Sequence, residues 1–593
     1  MSVLEVNNLS VSYPAESGAS EIVKNISIKV ESGEIVGLVG ESGSGKSTAM
    51  LAVMGLAGDG AYVQYDKITV GGKAPVPGKN VAMIFQDSLS CLNPSVKIGR
   101  QIRETVRARR RCSRKEAVAR SEELLDLVGI RNPSLRMRQY PFELSGGMRQ
   151  RVVLAIALAC EPELIIADEP TTALDALVQA QILLLLRRIV RETKTSLILV
   201  SHDMSVTASM CSRLYVMHGG RIEESGTAEE IFYSPVREYT KQLLKDAKGG
   251  NFHRKRRTGR ADCRELPGED VLLKMETMTK VFSEGEGIRG FSLEIRRKEI
   301  LALVGESGSG KTTAARILTG MLKEDEGTLY YHGHAMDRRR RMASLAGRVQ
   351  MVFQDPYASL NPCLTVRETL TEALAAVQRN REMQDTLPEK IDKMLELTGI
   401  SQDEADRYPR ELSGGQRQRI GIARALIVEP ELIVCDEALS SLDATTREQI
   451  LELIFRLQRK IGFACLFISH DMHIVRRISD RIGVMYGGRI VETGPTEQIC
   501  SDPWHPYTKQ LIEAVPEPDP VRAARIKAVP AKDGTGVCTT GCPLAGRCGY
   551  ALECCGREVP GRYSFDRREI SCFLYSGKHG GRRSSDYRMT SQI

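Results

Sequence analysis

Two stretches of this 593-residue chain place glycines, a lysine and a hydroxyl at the spacing of a phosphate-binding loop. The first is VGESGSGKST, Val39 to Thr48; the second is VGESGSGKTT, Val304 to Thr313. Gly40, Gly43 and Gly45 let the backbone curl until its N–H groups point inward at phosphate oxygens. Lys46 then reaches the β- and γ-phosphates of a nucleotide, and the Ser47 hydroxyl can bind Mg²⁺. Ser42 and Thr48 complete the loop's set of polar groups, and the second loop offers Gly305, Ser307, Gly308, Gly310, Lys311, Thr312 and Thr313. One such match arises by chance. Two matches, each following a short apolar run (EIVGLV, EILALV), argue against it.

A second kind of chemistry lies further on. Leu164-Ile-Ile-Ala leads into Asp168 and Glu169, and Leu432-Ile-Val-Cys leads into Asp436 and Glu437. A carboxylate at the end of a buried strand is costly unless it serves a cation or a proton transfer. Asp168 suits the Mg²⁺ shell, and Glu169 suits polarising the water that attacks a γ-phosphate. Another apolar run, Ser196 to Val200, ends in Ser201-His202-Asp203, and SHDM returns at Ser469 with His470. A lone histidine is more often structural than catalytic, but its return in the same context favours a functional role.

The elements that must position these residues come in two copies. Five motifs, beginning at Phe85, Glu143, Leu164, Ser201 and Tyr239, recur at a constant offset of 268 residues. The phosphate loops are 265 apart, so the copies differ by three residues between loop and FQD. Such self-similarity marks a duplicated domain. The reading is a first domain over residues 1–247, a basic, glycine-containing linker over 248–270, a second domain over 271–516 and a Cys-rich tail over 517–593.

Composition bounds the rest. Hydrophobic content of 42% and charged content of 27% are those of ordinary globular protein. The longest apolar runs fall far short of the roughly 20 residues of a membrane helix. The start, MSVLEVNNLS, has neither the basic region nor the apolar run of a signal peptide, so a cytosolic setting is expected. A net charge of +8 is scattered in small clusters, and aromatics are only 5%. That pairing argues against specific nucleic-acid binding, which needs basic and stacking residues on one face.

LSGGMRQ, Leu144 to Gln150, and LSGGQRQ, Leu412 to Gln418, resemble the signature of ABC-type ATPases, and the other motifs fall in that family's order. The resemblance implies an α/β fold: two tandem ABC-type P-loop domains, each a RecA-like mixed sheet core plus a helical subdomain, with a small Cys-rich appendix. Tyr13 and Phe282 look like the aromatics that stack on adenine. Gln86 and Gln354 look like Q-loop residues that join Ser47, Asp168, Thr312 and Asp436 around Mg²⁺. Ala173-Leu174-Asp175 and Asp443 look like D-loops. Glu169, His202, Glu437 and His470 would be the catalytic residues of two hydrolytic sites. In such ATPases paired domains close head to tail. ATP on the first loop would then be capped by Ser413, Gly414 and Gly415, and ATP on the second by Ser145, Gly146 and Gly147. The family's usual Asp-Glu-Pro is Asp436-Glu437-Ala438 in the second copy, a departure expected to loosen that turn.

QDSLSCLNP, QDPYASLNP and HPYTKQLIEAVPEPDP narrow the resemblance to the oligopeptide, dipeptide and nickel importer ATPases, in a fused, glutathione-importer-like form. This implies two membrane permeases, an external solute-binding protein acting indirectly, and a place on the inner face of the cell membrane. Two other readings compete. A soluble twin-ABC activation factor, like the component that supports methyl-coenzyme M reductase, shares the duplication. A ribosome-associated ABC protein would need a long charged arm, where this chain has a short linker.

Six of fifteen cysteines fall between Cys538 and Cys572. Free thiols, a disulfide staple and a metal site are the options, and a cytosolic setting disfavours the disulfide. The pattern Cys542, Cys548, Cys555, Cys572 resembles the tail of peptide-importer subunits, some of which hold a [4Fe-4S] cluster. Four thiolates suit such a cluster or tetrahedral zinc, although the CxxC pairs of a zinc ribbon are missing. Cys538 and Cys554 remain alternates.

Overall fold

The computed structural model describes residues 2–15, 18–87, 91–172, 174–247, 271–282, 287–337, 341–377, 387–439, 442, 444–523, 537–565 and 567–576. The linker at 248–270 and the D-loop residues Ala173 and Asp443 lie outside them. The described chain divides into two compact units, residues 2–247 with 516–523, and residues 271–515 with 537–576.

In the first unit the apolar runs that precede the motifs are the inner strands of one sheet. Its order is Arg221–Thr227, Arg213–His218, Ile35–Val39, Ser196–Ser201, Leu164–Asp168, Val81–Ile84. Neighbours are parallel except for the antiparallel edge pair of Arg221–Thr227 with Arg213–His218. Parallel strands are covered on both faces, so Leu164–Asp168 and Ser196–Ser201 are buried at every position. They read as unbroken apolar runs rather than alternating ones for that reason. Register sets Val39 opposite Ser201 and Asp168 opposite Val200. The glycine loop, the carboxylates and His202 therefore leave the sheet together at the carboxyl ends of its strands, where open α/β sheets bind ligands.

A smaller antiparallel sheet covers the loop's helix. Ser2–Ala15 pairs with Gly18–Glu31 on one side and with Tyr62–Gln64 and Lys67–Val70 on the other. Its Leu4, Val6 and Leu9 share one buried cluster with Met50 and Val53 of helix Lys46–Val53. The remainder of the unit is mainly helical. In Ile98–Arg109, Ile98, Ile102 and Val106 are buried at four-residue intervals, the stripe of a helix with one apolar face. Ser113 and Glu116 start the helix Arg114–Leu127 with a reciprocal capping box.

The second unit repeats this plan: Val349–Val352, Leu432–Asp436, Ala464–Ile468, Ile300–Val304, Arg481–Tyr486, Arg489–Pro495. Its sheet then continues with Arg568–Ile570 and Tyr563–Phe565 from the tail. Two strands of three residues each are too short to show alternation, which is why the sequence reads there as irregular. Arg568 fixes the junction. It donates to Glu492 Oε1 at 2.6 Å and lies 3.8 Å over the Trp504 ring. The fully buried Glu492 carboxylate also accepts the Trp504 and His505 N–H groups at 3.1 and 2.9 Å, the complete partner set that a buried charge requires.

Candidate functional site

Each glycine loop is built for close backbone approach. A Cβ at Gly40 would stand 2.1 Å from the Met217 carbonyl, and at Gly305 2.2 Å from the Met485 carbonyl. Gly45 and Gly310, at φ of 97° and 98°, precede helices Lys46–Val53 and Lys311–Leu318, which carry Ser47 and Thr48, and Thr312 and Thr313. Lys46 Nζ folds back to donate to the Gly40 and Glu41 carbonyls at 2.8 and 2.6 Å. Lys311 does the same with Gly305 and Glu306, both at 2.8 Å. Burial lowers the Lys46 pKa, with Glu169, Asp168 and Glu41 opposing. A buried cation held on the carbonyls of a glycine loop is poised for a polyphosphate.

Asp168 meets the Ser47 hydroxyl, and Thr312 Oγ1 donates to Asp436 Oδ1 at 3.3 Å. Asp168 Oδ1 is buried and has no hydrogen-bond partner among the described residues. Burial, reinforced by Glu169, raises the Asp168 pKa despite Ser47 and Lys46; burial likewise raises that of Asp436. An orphaned buried carboxylate oxygen beside a hydroxyl fits a divalent cation. Ser47 with Asp168, and Thr312 with Asp436, are the residues that would hold Mg²⁺.

Glu169 and Glu437 both adopt φ of 47°, a left-handed conformation rare for non-glycine residues and concentrated at functional sites. Ala438 in place of proline thus leaves this backbone angle unchanged. Around Glu169 the partners are close. His202 Nδ1 lies 2.8 Å from Oε1, while Gln86 Nε2 and Thr172 Oγ1 each donate to Oε2 at 2.9 Å. Burial works against the Glu169 charge, yet His202, Thr172 and Lys46 outweigh it and leave the pKa below the ordinary carboxylate value. Around Glu437 the spacing is looser, 3.7 Å to His470 Nδ1 and 3.3 Å to Gln354 Nε2. His470 is the main group lowering its pKa, against burial. In both copies the Q-loop glutamine rests on the glutamate rather than on the aspartate.

The signature serines are helix caps. Ser145 Oγ accepts from Met148 N at 3.4 Å at the start of Gly146–Ala159. Ser413 and Gln416 form a reciprocal box at the start of Gly414–Leu426. Gly147 and Gly415 are pressed against the next long helix, where a Cβ would lie 2.5 Å from Val178 Cγ1 or Thr446 Cγ2. Of the expected adenine partners, Tyr13 is half-buried with its hydroxyl donating to the Ala57 carbonyl at 2.6 Å, and Phe282 is 43% exposed at the end of strand Val271–Val281.

Besides Thr172, two tyrosines escaped the functional reading of the sequence. Tyr239 Oη accepts the Glu41 N–H at 3.1 Å and Tyr507 Oη accepts the Glu306 N–H at 2.9 Å. They anchor the two glycine loops from distant helices. The repeated YTKQL was the available signal, but a repeat alone does not tell a loop anchor from a packing residue.

In the tail, Cys542, Cys548, Cys555 and Cys572 are each 8% exposed, whereas Cys538 and Cys554 are half-buried. Each of the four accepts a main-chain N–H, from Leu544, Tyr550, Leu552 and Leu574 respectively. Burial pushes the Cys542 thiol up to about 11 and the Cys572 thiol up to about 12, and Cys572 feels the charges of the other three. Among the described residues, no group of three or more His, Cys, Asp or Glu side chains is spaced to hold a metal ion. That spacing supports neither the iron–sulfur cluster nor the zinc alternative expected from the sequence.

A glycine loop, a carboxylate pair, a strand-end histidine and a Ser-Gly-Gly-capped helix, present in each unit, define a nucleotide-hydrolysing class. The ABC transporter family matches residues 23–172 and 288–440, more than half of the chain. A further match, to the oligopeptide/dipeptide transporter C-terminal region, covers 491–555. The chain belongs to the ABC transporter ATP-binding proteins, in their oligopeptide/dipeptide branch, and is an ATPase. It is similar to the glutathione import ATP-binding protein GsiA of Salmonella choleraesuis (strain SC-B67), with 39% identity over 565 residues, covering 88% of this chain and 90% of that protein. GsiA of Escherichia coli (strain K12) matches with 39% identity over 570 residues and the same coverage. Among solved structures, CbiO1 from Clostridium perfringens, part of an ABC transporter complex, is 29% identical, with a TM-score of 0.36 over 40% of this chain and 92% of its own.

Proposed function

We propose that this chain hydrolyses ATP to energise import of peptides or a similar small solute, such as a dipeptide, an oligopeptide, glutathione or nickel. Two partner membrane permeases would carry the solute, delivered by an external solute-binding protein. The carrying observation is the hydrolytic constellation present in both units, Lys46, Ser47, Asp168, Glu169 and His202 with Lys311, Thr312, Asp436, Glu437 and His470. Lys46 and Lys311 hold the β- and γ-phosphates, and bound Mg²⁺ supplies neutralisation of phosphate charge. Glu169 orients and polarises the attacking water while His202, Thr172 and Gln86 fix its carboxylate. Two ATP sites formed head to tail within the chain complete the reading: Ser413, Gly414 and Gly415 over the first loop, and Ser145, Gly146 and Gly147 over the second. Capped helix N-termini favour the γ-phosphate's negative charge, which ties closure to intact ATP.

The importer branch is supported by the tail match and by the glutathione-import relatives, and the soluble activation-factor reading has no comparable support. Among the described residues no helix is long and apolar enough to cross a membrane; the place on the inner membrane face rests on the likeness to import ATP-binding proteins. A cleft of about 480 Å³ lined by Lys97, Arg100, Arg103, Glu122, Met137 and Tyr140 offers a permease loop a basic, partly apolar seat. The decisive test is Glu169→Gln and Glu437→Gln, separately and together. Each single variant should lose at least half of the ATPase rate and the double variant nearly all; full activity in either single variant refutes two hydrolytic sites. Co-purification with two permeases from membranes tests the transport role.

For the tail, the observation favouring a metal reading is the set of four buried sulfurs, each receiving a main-chain N–H, as iron–sulfur ligands do. An iron–sulfur cube binds its thiolates to different irons and so holds them further apart than one ion does. Anaerobic purification with iron and sulfide analysis tests it; a metal-free, colourless chain refutes it.

A further inference from the structure

The Cys-rich tail reaches the second phosphate loop directly. Arg547, between Cys542 and Cys548 in sequence, lays its guanidinium fork on Glu306, the residue that follows Gly305. Nη1 lies 3.0 Å from Oε2 and Nη2 lies 3.0 Å from Oε1. Nη1 also donates to Tyr486 Oη at 3.2 Å, and the guanidinium sits 5.6 Å from the Tyr486 ring centroid. The Arg547 and Glu306 side chains are 23% and 18% exposed. This bidentate pair is thus shielded from the screening that makes surface ion pairs weak.

Glu306 is held from its backbone side as well. Its carbonyl accepts Lys311 Nζ at 2.8 Å, and its N–H donates to Tyr507 Oη at 2.9 Å. The segment carrying Arg547 is itself fixed. Cys542 N–H donates to the Cys555 carbonyl and Cys548 N–H to the Leu544 carbonyl, at 2.8 and 2.9 Å. Pro543 presses on the turn after Tyr486, where a Cβ at Gly487 would meet it at 2.8 Å. Contacts therefore run from the thiol cluster through Arg547 and Glu306 to Lys311.

We infer that Arg547 is a positioning residue for the second ATP site. Its fork neutralises the one carboxylate carried by the loop, which would otherwise repel the phosphates of ATP. It also fixes the residue whose carbonyl orients Lys311. The first copy has His218 where the second has Tyr486, and no Cys-rich segment follows the first copy in sequence. The tail thus acts on the second site. This inference rests on reading the second loop as an ATP site.

The test uses the full chain with Lys46→Ala, so that nucleotide binds at the second loop alone, titrated with the fluorescent analogue mant-ATP. Arg547→Ala should raise Kd about fivefold, and Arg547→Lys should recover part of the loss by keeping the charge without the fork. In a Glu306→Gln chain, adding Arg547→Ala should change Kd by less than about 1.5-fold, because no carboxylate remains to neutralise. Maleimide labelling of the native chains should find the tail cysteines equally protected in all of them. An unchanged Kd in Arg547→Ala, or an equal loss with and without Glu306, overturns the proposal and leaves the ATP-site reading standing. Failure of the Lys46→Ala chain to bind mant-ATP with Arg547 intact removes the second site, and this inference with it.

Discussion

Glu169 shows how one side chain is made ready for its task. Its left-handed backbone turns the carboxylate out of the strand end, and three donors fix its two oxygens. Gly147 carries a different constraint. A Cβ there would lie 2.5 Å from Val178 Cγ1, a β-branched side chain with little freedom to move. At Gly146 the nearest atoms would lie 3.9 Å away. Gly147→Ala should therefore cost about 1–3 kcal/mol and lower Tm, while Gly146→Ala should stay within about 0.5 kcal/mol; equal Tm changes would refute the close-approach argument. Tyr239 bears on the first loop. Tyr239→Phe leaves the Glu41 N–H without its acceptor, a loss of about 1 kcal/mol. KM for ATP should rise several-fold with kcat less affected, as steady-state kinetics of the Glu437→Gln chain can show.

Among the elements, helix Pro506–Glu513 has the most exacting start. His505 is its N-cap, and Nδ1 accepts the Tyr507 N–H at 3.1 Å, which sets the tyrosine that grips the second loop. The imidazole is fully buried, and burial pushes its pKa from 6.5 down to about 3. A depressed histidine pKa means that the unfolded chain takes up a proton the folded chain refuses. The contribution to stability is full above pH 6.5 and is lost as pH falls toward 3, by up to about 1.4 kcal/mol per pH unit. Denaturant melts of the parent chain and of His505→Asn, whose side-chain oxygen can still accept the N–H, should diverge below pH 6.5. Parallel pH dependence would rule out His505 as the cause.

For the molecule as a whole, duplication supplies the two centres and the tail makes them unequal. The tail's strand Arg568–Ile570 is held to the second sheet by the Arg568–Glu492 pair, in which Glu492 has no exposure. Arg568→Ala strands a buried carboxylate and should cost about 3–5 kcal/mol. Limited proteolysis should then cut within residues 537–576 well before the second ATPase fold is degraded. Replacing both partners together, Arg568→Met with Glu492→Leu, should be milder, since no unpaired charge is left. A double variant as unstable as the single one would contradict this.

What the sequence by itself determined is the local chemistry. Loops, carboxylate pairs, histidines and signature serines lie in contiguous motifs, and parallel strands buried on both faces leave apolar runs that any reader can see. The repeat then established that there are two copies. Tertiary structure alone decided who holds these motifs in place. Tyr239 meets Glu41 across 198 positions, Tyr507 meets Glu306 across 201, and Arg547 meets Glu306 across 241. Pairings so remote in the chain leave no spacing or period behind, because they are made by the packing of whole elements rather than by the pitch of one.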